Sequence, residues 1–246
     1  MGSCFATEIG QRFQEEGFPV VVNPFGTMYN PASILHSLQR ILCSPSSIKT
    51  AFLTLGTNHV YRLKETGEIV DNCEKRLQSL FTEEELSVEA CADYLQQAVM
   101  LLREKNPDVR IVLTVSPIRY RKYGYHASLL SKATLLLAVQ KVCDHLCESV
   151  VYFPAYEIVN DELRDYRFYK PDMLHPSDQA VEFIWQRLSE TYLSDEAKTF
   201  IQEWAPLKAA LNHKPFDAES EDYKTFMHKT MLKVAALKEK YPTFAL

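Results

Sequence analysis

The stretch Met1-Gly2-Ser3-Cys4-Phe5-Ala6 opens the chain with a serine that follows a glycine and precedes a helical pattern. The apolar residues after it recur at helical spacing, so residues 5–16 are predicted to form a helix that ends at Gly17. A serine at the start of a helix lies beside free backbone N–H groups and the positive end of the helix dipole. Such a position favours negative charge that develops next to the hydroxyl.

A second stretch, Asp172-Met173-Leu174-His175, lies far away in the sequence but completes the same chemistry. A serine hydroxyl is a weak nucleophile and needs a neighbouring base to take its proton. His175 is predicted to be that base, and Asp172 is predicted to bind the other imidazole nitrogen and to fix its tautomer. Each motif is weak alone, and the interpretation depends on the fold bringing Ser3 and His175 to one edge of a sheet.

Predicted strands and helices alternate along the chain between these two stretches. Strands are predicted at 19–22, 50–55, 109–115 and 150–153, and helices at 31–42, 88–105, 128–147 and 176–192. Residues 59–86 are less regular, and Thr82-x-x-Glu85 is a candidate capping box for a short helical turn. The alternation predicts a parallel sheet with helices on both faces. In such sheets, ligands bind at the carboxyl ends of the strands.

Length and composition predict one α/β domain at 1–193 and a helical C-terminal extension at 194–246. The chain has 246 residues, of which 46% are hydrophobic and 24% charged, as is typical of a globular protein. The formal net charge of −5 argues against a nucleic-acid partner. The longest strongly apolar run is far shorter than the roughly 20 residues of a membrane span. No export signal is visible and no CxxC pair occurs, so reduced thiols and a cytoplasmic location are expected.

Several blocks of sequence resemble one known family. Gly2-Ser3-Cys4-Phe5-Ala6 resembles the name motif of the GSCFA family, a branch of the SGNH-hydrolase superfamily. Further blocks that look like those of the family follow in order at 23–27, 54–57, 114–119, 131–135 and 161–178. The resemblance covers residues 2–190 approximately. It implies a three-layer, flavodoxin-like α/β fold with a serine-centred acyl site.

The resemblance also implies roles for individual residues. Ser3 corresponds to the nucleophile of the superfamily, and His175 and Asp172 correspond to its base and partner aspartate. Gly26 corresponds to the glycine that follows the second strand and contributes a backbone N–H to the oxyanion, together with the N–H of Ser3. No metal and no organic cofactor is required by this chemistry.

Three further residues are candidates for binding the oxyanion or the substrate. Asn58, in a Gly-x-Asn setting, corresponds to the oxyanion asparagine of the superfamily, and Thr57 is the alternative donor. Arg119 follows a predicted strand and is a candidate for binding a carboxylate or sugar hydroxyls, or for pairing with a neighbouring carboxylate. Tyr120 and Glu74 stand where many relatives have histidine, so no role is carried over to them.

The beginning of the chain does not match the fold that the resemblance implies. In that fold the nucleophile follows a central strand, yet only Met1 and Gly2 precede Ser3. Either the first strand is truncated or the sheet has a gap. Truncation is the expectation, because a gap would leave ladder donors and acceptors unpaired at about 1–3 kcal/mol each.

The predicted function is ester hydrolysis, with removal of an acyl group, preferably acetyl, from a carbohydrate or a small ester as the reaction. Two alternatives stay open. One is transfer of the acyl group to a sugar hydroxyl, and the other is a non-catalytic glycan-binding protein that retains the motif. Cys4 is the competing nucleophile, although a cysteine beside a helix start is more often a small buried apolar group.

Overall fold

A computed structural model describes residues 1–43, 48–73, 75–146 and 150–244 of the chain, and Glu74 lies outside these ranges. The helices are α1 (Cys4–Glu15), α2 (Pro31–Ile41), α3 (Val88–Lys105), α4 (Gly124–His145), α5 (Ala155–Glu157), α6 (Asp178–Tyr192), α7 (Asp195–Leu211) and α8 (Glu221–Lys240). The strands are β1 (Thr50–Leu55), β2 (His59–Leu63), β3 (Ile69–Val70), β4 (Phe81–Glu85), β5 (Arg110–Val115) and β6 (Val150–Tyr152). Short 3-10 helices occupy Gln78–Leu80, Arg121–Tyr123 and Tyr166–Phe168, and a π-helix occupies Ile158–Leu163.

The main sheet is parallel, with the strand order β1-β5-β6. Leu53 pairs with Leu113 in the register of β1 and β5, and both pack in the core with the apolar stripes of α2, α3 and α4. Thr54 and Thr114, the next residues along each strand, point to the opposite face and are also buried. Both faces of the sheet are therefore covered, and the predicted three-layer α/β fold is confirmed.

Residues 1–3 lie beside β1 in the position of a further parallel strand. Gly2 forms a parallel bridge with Thr54, whose carbonyl accepts a hydrogen bond from the Ser3 N–H at 3.0 Å. On the other side, the Met28 N–H donates to the Gly2 carbonyl at 2.9 Å. Gly2 has a φ of +136°, and a Cβ at this position would lie 2.0 Å from the Thr54 carbonyl oxygen. Only glycine fits here, because both the backbone conformation and the close approach exclude a side chain.

The strand predicted at 19–22 is wrong. The structure gives these residues no strand assignment, and Val21 in the middle of the run is 73% exposed. A β-branched run forms a strand only where a neighbouring strand satisfies its backbone groups. The position beside residues 1–3 is taken instead by Met28, whose N–H bonds to Gly2.

The capping box predicted at Thr82 and Glu85 is also wrong. Both residues belong to β4, which pairs with β2 in a small antiparallel sheet of order β3-β2-β4. Arg62 on β2 forms an ion pair of 3.1 Å with Glu84 on β4. Pairing of opposite charges between neighbouring strands can stabilise a strand such as β4, in which apolar and polar residues do not alternate.

Contacts within the chain separate two compact units. The larger unit comprises Met1–Glu8 and Val22–Ile184, and the smaller comprises Ile9–Val21 and Trp185–Leu246. This division differs from the predicted boundary after residue 193 because it assigns the second half of α6 and part of α1 to the smaller unit.

The smaller unit is helical, as predicted for the C-terminal extension. Its apolar cluster contains Phe200 and Trp204 of α7 and Leu237 of α8. The Trp204 indole N–H also donates to the Glu15 carbonyl at 3.0 Å, which ties α7 to the end of α1 within this unit. Across the described part of the chain, no helix combines the length and apolar character that crossing a bilayer requires.

Candidate active site

Asp172 and His175 form a hydrogen-bonded pair. The imidazole Nδ1 lies 2.6 Å from Asp172 Oδ2, and Asp172 Oδ1 accepts the backbone N–H groups of Leu174 and His175 at 2.9 and 3.0 Å. The hydrogen bonds from the His175 and Leu174 backbone, and then from the imidazole, lower the pKa of the Asp172 carboxyl to about 2. An ionised carboxylate only accepts hydrogen bonds, so it holds the proton on Nδ1 and leaves Nε2 as the basic nitrogen.

The turn that carries this pair is fixed at both ends. The Lys170 N–H donates to the His175 carbonyl at 2.7 Å, and the Lys170 ammonium pairs with Glu8 of α1 at 3.1 Å. On the other side, the Arg119 N–H donates to the Leu174 carbonyl at 3.2 Å. The predicted base is thereby tied to the helix that follows Ser3 and to the loop that follows β5.

Ser3 is fully buried, with 0% of its surface exposed. Its Oγ has no hydrogen-bond partner among the described residues, so the structure does not make a hydrogen bond between this hydroxyl and His175. The structure brings Asp172 and His175 together, and the predicted relay between His175 and Ser3 stays a prediction.

The loop that contains Gly26 packs beside Ser3. Asn23 Oδ1 accepts the Gly2 N–H at 2.8 Å, and Asn23 Nδ2 donates to Thr7 Oγ1 at 3.0 Å. The Gly26 N–H itself donates to the Asn23 carbonyl at 2.9 Å. This predicted oxyanion donor is therefore occupied by the turn, and the loop positions the residues on either side of the serine.

Thr57 and Asn58 also have partners within the chain. The Thr57 N–H donates to the Tyr29 carbonyl at 2.8 Å, and its hydroxyl lies 3.0 Å from Ser131 Oγ. Asn58 Nδ2 donates to the Leu86 carbonyl at 2.8 Å, while Asn58 Oδ1 is buried with no partner among the described residues. These contacts hold the loop after β1 against Tyr29, against α4 and against the residue that follows β4.

The start of α1 supplies further donors next to Ser3. The first hydrogen bond of this helix runs from the Ala6 N–H to the Ser3 carbonyl at 2.8 Å. The N–H groups of Cys4 and Phe5 precede every intrahelical acceptor, as the first N–H groups of any helix do. Free N–H groups at the start of a helix favour negative charge nearby.

Sequence reasoning missed a buried lysine that contacts the loop after β1. Lys132 is 2% exposed, and its ammonium donates to the Gly56 carbonyl at 2.6 Å. Burial lowers the pKa of Lys132 to about 7. A signal was available, because Lys132 falls on the same face of α4 as the buried residues Ser128, Leu135 and Val139.

A cavity of about 430 Å³ adjoins the site and includes Lys132, Arg119 and Met173 in its walls. The Arg119 guanidinium lies 4.0 Å from the centre of the Tyr169 ring and 5.8 Å from that of Tyr166. Arg119 was predicted either to bind a ligand or to pair with a carboxylate, and in the structure it stacks on aromatic rings. Within the described ranges, no three His, Cys, Asp or Glu side chains are arranged to hold a metal ion.

Comparison with known families supports the resemblance seen in the motifs. The sequence matches the GSCFA family over residues 1–51 and 44–188, and the C-terminal domain of GSCFA domain proteins over residues 204–246. The chain belongs to the GSCFA family. No relative is found among curated proteins.

Three solved structures of esterases are similar to the chain at low identity. A carbohydrate esterase family 3 protein from Talaromyces cellulolyticus has 12% identity and a TM-score of 0.42 over 72% of this chain and 70% of that one. A serine-to-alanine mutant of an acetyl esterase, solved with an acetate ion, has 12% identity and a TM-score of 0.46 over 82% and 92%. A family 3 carbohydrate esterase from Clostridium thermocellum has 15% identity and a TM-score of 0.44 over 80% and 88%. At these values the likenesses carry no conclusion about activity.

Proposed function

We propose that the chain is a serine-dependent ester hydrolase that removes an O-acyl group from a carbohydrate or a small ester. Ser3 Oγ attacks the acyl carbonyl, His175 takes the proton and later returns it to the leaving group, and Asp172 orients the imidazole. An acetyl group is the preferred acyl group. The reaction ends when water, activated by the same histidine, releases the acid.

The observation that carries this proposal is the Asp172–His175 pair. The hydrogen bond of 2.6 Å between Nδ1 and the ionised Asp172 carboxylate fixes the orientation of the imidazole and leaves Nε2 of His175 free to act as the base. The backbone N–H groups of Leu174 and His175 also donate to this carboxylate and fix its position relative to the imidazole. Membership of a family named for the residues around Ser3 supports the same assignment.

Proton transfer requires a hydrogen bond that the Ser3 hydroxyl does not make among the described residues of the free protein. His175 Nε2 has to come within hydrogen-bond reach of Ser3 Oγ, and such contacts often tighten only when substrate binds. Ser3 is 0% exposed, so the groups that cover it have to move aside before an ester can reach it. The N–H groups of Cys4 and Phe5 are proposed as oxyanion donors, since those of Ser3 and Gly26 already bond to chain carbonyls.

The test is hydrolysis of p-nitrophenyl acetate by the full chain and by Ser3→Ala. Loss of the serine is expected to reduce kcat by at least about 10³-fold, as removal of a nucleophile does. Ser37→Ala is the matched control, because Ser37 is also a buried serine whose hydroxyl has no partner among the described residues. The control is expected to retain its activity. Full activity in Ser3→Ala would end the proposal.

A second candidate function is glycan binding without catalysis, and one observation favours it. The N–H groups of Ser3, Gly26 and Thr57 all donate to carbonyl oxygens of the chain, which leaves fewer donors for an oxyanion than the family resemblance implies. Labelling with a fluorophosphonate separates the two functions. The hydrolase predicts a label on Ser3, located by mass spectrometry of the peptide 1–12, and loss of that label in His175→Ala. The binding protein predicts no label in either variant.

A further inference from the structure

The cavity of about 430 Å³ beside the proposed catalytic pair has two basic side chains, and no carboxylate among the described residues, in its walls. Arg119 supplies a positive charge and Lys132 a buried amine, and Tyr125 and Tyr166 supply aromatic surface that is 53% and 67% exposed. Met173 also lines the cavity, so the turn from Asp172 to His175 forms part of its wall. All of these residues belong to the larger compact unit.

The two basic side chains of this cavity have no counterion among the described residues. Over the ranges that the structure describes, no carboxylate lies within ion-pair distance of Arg119 or Lys132, although other basic side chains such as Lys170 and Arg62 have such partners. A protonated lysine has three N–H bonds, and the hydrogen bond to the Gly56 carbonyl accounts for one of those on Lys132. Burial without a counterion lowers the pKa of Lys132 to about 7, and an anion bound beside the amine would favour its protonated form.

The position of Arg119 connects the cavity to the proposed chemistry. Its backbone N–H bonds to the carbonyl of Leu174, between the two members of the Asp172–His175 pair. Its guanidinium carbon lies 4.0 Å from the centre of the Tyr169 ring, and the five N–H donors of an arginine exceed what this one tyrosine can use. The fork of N–H donors on arginine matches the two oxygens of a carboxylate.

We propose that this cavity binds the carboxylate of an acidic sugar whose ester Ser3 cleaves. Arg119 binds the carboxylate through its donor fork, Lys132 takes up a proton and adds a second positive charge when the anion binds, and the exposed tyrosine rings contact the apolar face of the sugar. The proposal deepens the proposed function and rests on it for the identity of the reacting bond. The binding of the carboxylate itself requires no turnover.

Binding is tested by calorimetric titration of the full chain with D-glucuronate and, separately, with D-glucose. Glucuronate is expected to bind at least about tenfold more tightly, which corresponds to about 1.4 kcal/mol. Arg119→Gln is expected to remove this preference. Arg121→Gln is the matched control, because Arg121 is exposed and lies outside the lining of the cavity, and it is expected to keep the preference. Equal affinity for the two sugars in the wild type, or an unchanged preference in Arg119→Gln, would overturn the proposal.

Steady-state kinetics distinguish a wrong carboxylate-binding cavity from a wrong proposed function. The ratio of kcat/KM for O-acetyl glucuronate to that for O-acetyl glucose is expected to fall about tenfold in Arg119→Gln. Lys132→Met is the second variant and is expected to lower the same ratio. An active enzyme whose ratio is unchanged in both variants rejects the anionic subsite alone. Glucuronate binding together with full activity in Ser3→Ala rejects the nucleophile and retains the subsite.

Discussion

Replacement of Lys132 by methionine tests how strongly burial acts on this side chain. Burial lowers the pKa of Lys132 from 10.5 to about 7, so between these pH values the unfolded chain binds more protons than the folded one. The free energy of unfolding therefore rises with pH through this window and loses that contribution as pH falls towards 7. At about 1.36 kcal/mol per pH unit, the full window corresponds to about 5 kcal/mol.

Methionine removes both the titration and one hydrogen bond. The Gly56 carbonyl loses its donor, which costs about 1–3 kcal/mol. Near pH 10.5 the variant is therefore expected to be less stable than the wild type. At pH 7 the wild type carries the cost of burying the amine, and the variant is expected to be the more stable protein by about 1–3 kcal/mol.

Urea unfolding at pH 7, 8 and 9, followed by circular dichroism, measures the difference between the two proteins. From pH 7 to 9 the wild type should gain about 2 kcal/mol relative to Lys132→Met. Lys141→Met provides the control, because Lys141 is an exposed lysine on the same helix, and its stability should follow that of the wild type. Parallel pH profiles of Lys132→Met and the wild type would show that the reasoning about burial is wrong.

Two further substitutions test the proposed base and the residue before the proposed nucleophile. Asp172→Asn is expected to lower kcat for p-nitrophenyl acetate by about 10²–10⁴-fold, since an amide can present an N–H to His175 and favour the wrong tautomer. Gly2→Ala is expected to destabilise the fold by more than about 3 kcal/mol in urea unfolding, because its Cβ would lie 2.0 Å from the Thr54 carbonyl oxygen. Gly26→Ala is the comparison, with a φ of +89° but no atom within 4 Å of the added Cβ, and should cost about 1–2 kcal/mol.

The main sheet could be predicted from the sequence because its strands are buried on both faces. The apolar runs of β1 and β5 alternate with the amphipathic helices α2, α3 and α4, and this pattern has few other solutions. The small antiparallel sheet could not be predicted in the same way. Four of the five residues of β4 are polar or charged, and such a run does not indicate a strand until its partner, here β2, is known.

In the candidate site, a contact between residues close in sequence could be predicted, and contacts between distant residues could not. Asp172 and His175 are three residues apart, so one tight turn brings them together whatever the rest of the fold does. The distance from either residue to Ser3 depends on how the whole larger unit is assembled, and the sequence contains no measure of it. The burial of Lys132 depends on the same assembly, although its place on the apolar face of α4 was visible.

The backbone hydrogen bonds next to Ser3 offer a way to measure how firmly the proposed nucleophile is held. Gly2 is bonded on one side to Met28 and is bridged on the other to Thr54, so three separate segments of chain meet at the residue before the serine. Exchange of the Met28 amide hydrogen with deuterated solvent can occur only when this junction opens. The exchange rate of that single amide therefore reports whether the serine is held in place, and it can be read in protein that has no substrate and shows no turnover.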